Sequence, residues 1–168
     1  SCILIEQIGI VGLKYLTDGL MKNTSLDTFC LISSYLSDEA STSIAKLINK
    51  CTSLLSLSIR SENITEKGIR NIGDVIVENT NLIEFDFFGD TGSQAVAQVL
   101  KKLKNLKKLR LYGAFNTPIE KSSVFIDAFQ RYCSKVEELT IRDNYVDVSL
   151  LCKTLITMRR VHTLELCN

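Results

Sequence analysis

Carboxylates, arginines, lysines and cysteines are the side chains through which this 168-residue chain can do chemistry. Asp86 lies within reach of Glu84, Asp90 and Glu138 by position, and paired carboxylates are the material of general acid–base catalysis. Opposing bases at matching positions, Lys108 and Arg110, give those acids a simpler role as ion-pair partners. Five lysines fall between Lys101 and Lys108, a run able to touch phosphates, but no aromatic residue interleaves with them. They straddle the expected end of a helix, where the dipole favours cations, and they read as a solvated helix terminus. Six cysteines contain no C-x-x-C pair, and His162 is the sole histidine with no ligand spacing around it, so no metal site is expected. Glycine-rich phosphate loops and nucleophile elbows are also missing from the sequence.

Composition narrows the class further. Hydrophobic residues make up 45% of the chain against 23% charged, which is the balance of a globular protein. Twenty basic and nineteen acidic residues leave a net charge of +1, so no global field recruits nucleic acid or an anionic membrane. Apolar runs are too short for a membrane span and no signal-peptide pattern opens the chain. The cysteines fall at core or repeat positions and read as reduced thiols of a cytoplasmic protein. Apolar residues are already in register at Ile3–Ile5, and Leu164–Leu166, just before the last two residues, still look like strand. Residues 1–168 are therefore read as one domain of about six repeats, a fragment of a longer chain.

The elements that position these side chains follow from a repeat. Leu26, Leu54, Leu82, Leu106, Val136 and Val161 each open an apolar triplet whose other members stand three and five residues later. Those pairs are Phe29/Leu31, Leu57/Ile59, Phe85/Phe87, Leu109/Leu111, Leu139/Ile141 and Leu164/Leu166, and the units are 28, 28, 24, 30 and 25 residues apart. Between them the apolar period lengthens to that of a helix, as in Ala40, Ile44, Leu47 and Ile48, or Val124, Phe125, Ala128 and Phe129. Thr117-Pro118-Ile119-Glu120 carries a helix-start signature, and Asp38 and Glu39 are placed to favour the dipole of the helix they precede. Gly12 and Gly68 repeat at equivalent helical positions and predict close approach of a helix to its neighbour. A strand, a turn and a helix cannot bury their own apolar face, whereas a stack of such units can.

The pattern L-x-x-L-x-L, followed by a helix at this period, resembles leucine-rich repeat proteins of the ribonuclease-inhibitor-like subclass. Asn23-Thr24-Ser25-Leu26 and Asn79-Thr80-Asn81-Leu82 are similar to a junction found in nucleotide-binding innate immune receptors. The resemblance runs from about Ile3 to Leu166 and implies an α/β solenoid, a horseshoe with a parallel sheet on the concave face and α-helices on the convex face. It departs from the pattern after the strands, where Ser34, Glu62, Asp90 and Ala114 replace the usual Asn or Cys and only Asn144 keeps it. The column Asn23, Cys51, Asn79, Cys133 is better kept and reads as helix-end packing and capping.

With the leucine positions inward, residues between and after them face the concave side. One column then reads Glu84, Lys108, Glu138; the next Asp86, Arg110; the last Arg60, Phe88, Tyr112, Arg142. The first two read as cross-strand ion pairs. The last is either a self-satisfied cation–π stack or, as two aromatics between two arginines, a binding hot spot. Partner-binding candidates are therefore Arg60, Phe88, Tyr112, Arg142, Asp86, Arg110 and Lys108. The expected function is a non-catalytic protein–protein interaction module with no cofactor, no catalytic residue, and no nucleic-acid or membrane partner. Leucine-rich repeat activators of the GTPase Ran offer a second reading, with Arg60 or Arg142 as candidates, and the sensor part of an immune-type receptor a third. Uncapped ends also raise end-to-end self-association.

Overall fold

The computed structural model describes residues 2–77, 81–89, 92–113, 122–142 and 146–167. Its strands are β1 (Cys2–Glu6), β2 (Thr28–Ile32), β3 (Ser56–Arg60), β4 (Glu84–Phe88), β5 (Lys108–Tyr112), β6 (Glu138–Arg142) and β7 (Thr163–Cys167). Helices α1 (Ile10–Leu20), α2 (Ala40–Lys50), α3 (Glu66–Val75), α4 (Ser93–Leu100), α5 (Ser122–Tyr132) and α6 (Val148–Thr157) alternate with them. The strands form one parallel sheet in chain order, β1 to β7. Parallel neighbours need a crossover long enough to return the chain, and each helix is that crossover. The fold is a leucine-rich repeat solenoid, with the sheet lining the concave face and the helices the convex one.

Alternation within each five-residue strand explains the layering. Phe29 and Leu31, Leu57 and Ile59, Phe85 and Phe87, Leu109 and Leu111, and Leu139 and Ile141 are all buried, in one continuous core with the helix stripes. The triplet-opening residues Leu26, Leu54, Leu82, Leu106 and Val136 are buried with them. β1 is a further strand ahead of the six read from the sequence. Its inward residues, Ile3 and Ile5, match the second and third members of the triplet, but the position for the opening member falls before Ser1.

Two rows of backbone hydrogen bonds lock the units together. Below the strands, one carbonyl receives two amides of the next unit: Asp27 from Leu55 and Ser56, Leu55 from Ile83 and Glu84, Ile83 from Lys107 and Lys108, Lys107 from Glu137 and Glu138. Above them, the carbonyls of Arg60, Phe88, Tyr112 and Arg142 accept from Ser33, Ser61, Gly89 and Gly113 of the preceding unit at 3.0–3.2 Å. Serine hydroxyls add a buried tie, Ser33 Oγ to the Ile8 carbonyl and Ser61 Oγ to the Leu36 carbonyl.

Three local expectations resolve differently. Asp38 does not serve the helix that follows it; its carboxylate accepts from Thr65 N at 2.8 Å, Thr65 Oγ1 at 2.8 Å and Gly68 N at 3.1 Å, capping α3 in the next unit. Gly68 is small for that reason, since a Cβ there would lie 2.5 Å from Asp38 Oδ1. Gly12 instead makes room for Ile8 of its own unit rather than for a neighbouring helix. Val124 is exposed, so the buried stripe of α5 is Phe125, Ala128 and Phe129 with Ile126. The Thr117–Glu120 signature and residues Asn79, Asp90, Ala114 and Asn144 lie outside the described residues.

Candidate functional site: the concave face

The residues between the buried pairs stand in straight columns because every strand pairs with the next residue for residue. Glu84, Lys108 and Glu138 are mutual register partners, as are Asp86, Arg110 and Thr140, and as are Arg60, Phe88, Tyr112 and Arg142. All seven candidate residues thus share one surface.

Lys108 Nζ sits between two acids, 3.5 Å from Glu84 and 3.2 Å from Glu138. Those carboxylates, Glu138 first, raise its pKa above the ordinary lysine value. Asp86 departs from the column rule. Its register partner is Arg110, yet Asp86 Oδ2 receives Arg60 Nη2 at 3.0 Å and Ser58 Oγ at 3.1 Å. Arg110 turns to Glu138, 3.6 Å away. The expected Asp86–Arg110 pair gives way to two diagonal ones because long side chains reach diagonal neighbours as readily as opposite ones. Arg142 repeats the pattern on Glu165. The hydrogen bond that Arg60 donates to Asp86 raises the pKa of Arg60, and the one that Arg142 donates to Glu165 does the same for Arg142.

Asp86 is the buried member of the set, at 9% exposure, and its Oδ1 has no hydrogen-bond partner. The surface pairs around it contribute roughly 0–1 kcal/mol each, as half-exposed ion pairs do. They fix side-chain positions more than they stabilise the fold.

Both arginines also meet the same ring. The guanidinium carbons of Arg60 and Arg142 each lie 5.9 Å from the centre of Tyr112, one on either side along the column. Arg60 reaches across the strand that carries Phe88 to do so. Gly113, at φ +64, turns the chain away directly after Tyr112 in a left-handed conformation that favours glycine. Beside the column, Ile32, Ser33, Ser61, Arg60 and Phe88 line a cavity of about 360 Å³ at the C-terminal rim of the sheet.

β1 extends this face beyond what the sequence reading included. Leu4 is 57% exposed on it, and Glu6 ends the Arg60 column at the far side. The strand-like Ile3–Ile5 was the available signal.

No known family model matches the chain. Segments of Leiomodin-2 do, from Rattus norvegicus and Mus musculus at 33% identity and from Homo sapiens at 32%. This chain is similar to part of Leiomodin-2. The match runs over 118 residues, 68% of the chain, and the chain spans only about a fifth (22%) of the length of each relative. Among the described residues no group of His, Cys, Asp and Glu can hold a metal, and no helix is long and apolar enough to cross a membrane. Cys30, Cys51, Cys133, Cys152 and Cys167 are free thiols. Cys51 and Cys133 are buried at helix ends, Cys51 Sγ lying 3.5 Å from the Leu20 carbonyl, and Asn23 caps its turn by accepting from Ser25 N and Leu26 N.

Proposed function

We propose that this chain is a non-catalytic protein–protein interaction segment that receives its partner on the concave sheet. The docking stripe is Arg60, Phe88, Tyr112 and Arg142, with Asp86, Arg110 and Lys108 behind it holding the arginines and the strand columns in place. One observation carries this reading: Tyr112 stands partly exposed between two half-exposed guanidiniums in a single register column. Aromatic and arginine side chains held in fixed positions are the residue types that dominate protein interfaces. The pairing leaves little entropy to lose on binding, which favours association.

The segment is further assigned to the ribonuclease-inhibitor-like subclass, on its units of 24 to 30 residues with helices on the convex side, and to the cytoplasm, on its free buried thiols. It works as part of a longer protein, a reading supported by the length of its Leiomodin-2 relatives.

The test is the double change Phe88→Ala and Tyr112→Ala. Crosslinking or affinity measurement with the native partner should lose binding, while circular dichroism and the unfolding midpoint stay close to the parent. Binding that survives in a folded double variant removes the stripe as the docking site.

A further inference from the structure

Charge on the concave side is balanced strand by strand except at one corner. Glu84 and Glu138 hold Lys108, Asp86 holds Arg60, and Glu165 holds Arg142. Glu6, at the end of β1, and Glu62, in the loop after β3, are both exposed. Among the described residues their carboxylates make no hydrogen bond or ion pair. The same corner is hollow and apolar. Ile32 is the register partner of both Glu6 and Arg60, and with Phe88 it walls the cavity of about 360 Å³ that Glu62 also lines. Leu4, 57% exposed, stands two residues before Glu6 on the same face. The serines of the wall are already engaged, Ser33 and Ser61 on the Ile8 and Leu36 carbonyls and Ser34 on Gln7. Arg60 is held by Asp86 and lies against Tyr112 two strands on, so its charge is balanced and turned away from Ile32.

Resting on the concave docking surface, we propose that this corner recognises a basic and apolar segment of the partner protein. A lysine or arginine of the segment is met by Glu6 and Glu62, and a large apolar side chain beside it enters the cavity over Ile32 and Phe88. Charge complementarity decides the sign, because both unbalanced groups are acids. Long basic side chains suit the corner, since their methylene stems lie on Leu4 and Ile32 while the charged end stays with the carboxylates. Strands about 4.8 Å apart put the two cavity walls about 5 Å and about 14 Å from Glu6 along the row. An extended segment advances about 7 Å over two residues and returns to the same face, so a basic and an apolar residue spaced by two reach both features. An acidic segment would bring like charge against Glu6 and Glu62 and be repelled.

Four capped pentapeptides test this by backbone-amide shifts of the isotopically labelled chain. The first is serine–lysine–serine–leucine–serine; two others carry glutamine or glutamate for the lysine, and the last carries serine for the leucine. The lysine probe should shift the amides of Gln7, Ile32, Ser33 and Glu62 and bind about fivefold more tightly than the glutamine probe, the scale of two exposed ion pairs. The glutamate probe and the probe without leucine should both bind more weakly than the lysine probe. Glu6→Gln with Glu62→Gln should erase the lysine preference, and Glu6→Asp with Glu62→Asp should keep most of it. Equal binding of the lysine and glutamine probes at these amides overturns the basic preference and leaves the docking surface standing. Tighter binding of the glutamate probe, a lysine preference that survives the glutamine variant, or no shift with any probe also overturns it. The response of the native partner to the Phe88/Tyr112 double variant decides the docking surface itself separately.

Discussion

Arg60 and Tyr112 stand two strands apart, and the guanidinium of the first lies 5.9 Å from the ring centre of the second. Their contact bridges β4 and is matched by Arg142 from the other side. Tyr112→Leu should therefore remove one contact from each arginine at once, leaving their ion pairs with Asp86 and Glu165 in place. The loss in stability is about 1 kcal/mol, the scale of exposed cation–π contacts. Arginine side-chain NH resonances of Arg60 and Arg142 should exchange faster with solvent in this variant, and unchanged exchange would show that the ring does not hold them.

Asp86 is the structural pivot of the same group. Asp86→Ala leaves Arg60 and Ser58 without their shared acceptor, and the expected cost is about 1–3 kcal/mol. Asp86→Asn keeps the acceptor oxygen and should cost less. Urea unfolding of the two variants checks the order, which reverses if packing rather than the hydrogen bonds dominates.

Gly68 and Asp38 are predicted to be coupled. Glycine to alanine inside a helix ordinarily gains about 1 kcal/mol. Here the new Cβ meets Asp38 Oδ1, so Gly68→Ala should destabilise the parent. In an Asp38→Ala background the same change should cost distinctly less. A double-mutant cycle reads the coupling directly, and additive effects would contradict the cap geometry.

Burial should grade equivalent leucines by position. Leu109 is fully buried, and Leu109→Ala should cost about 2–5 kcal/mol. Leu164 holds the same place in β7 but is 43% exposed, so Leu164→Ala should cost far less. Equal losses in denaturant unfolding would mean that the β7 face is covered in solution.

Cys133 makes the stability sensitive to alkali. Burial pushes its thiol from the ordinary 9.0 up to about 12. Between those values the unfolded chain releases the proton and the folded chain keeps it, so stability falls as pH rises, by at most about 1.4 kcal/mol per pH unit from this group. Cys133→Ala should flatten that slope, whatever it does to absolute stability. At pH 8 a thiol reagent should modify the exposed Cys152 and Cys167 quickly and spare Cys51 and Cys133 until unfolding.

The spacing of Leu106, Leu109 and Leu111 was enough to place a strand, its buried face and the columns beside it, because strand alternation leaves no other arrangement. The spacing alone also aligns Arg60, Phe88, Tyr112 and Arg142 in one column. Which acid each arginine chooses was not legible. Asp86 has Arg110 opposite and Arg60 on the diagonal, and the choice depends on side-chain reach and the Ser58 hydroxyl rather than on spacing. Asp38 was opaque for a similar reason. Adjacent in sequence to one helix and adjacent in space to the next, it serves the second.

The units from β2 to β7 differ in length, yet β4 pairs with β5 and β5 with β6 without a slip. Length differences are taken up entirely outside the strands. A molecule lying across the concave side therefore meets an even grid, about 4.8 Å from column member to column member. Insertions in the crossovers are silent to it, and exchanging one whole unit for another would rewrite three squares of the grid while leaving the rest in place.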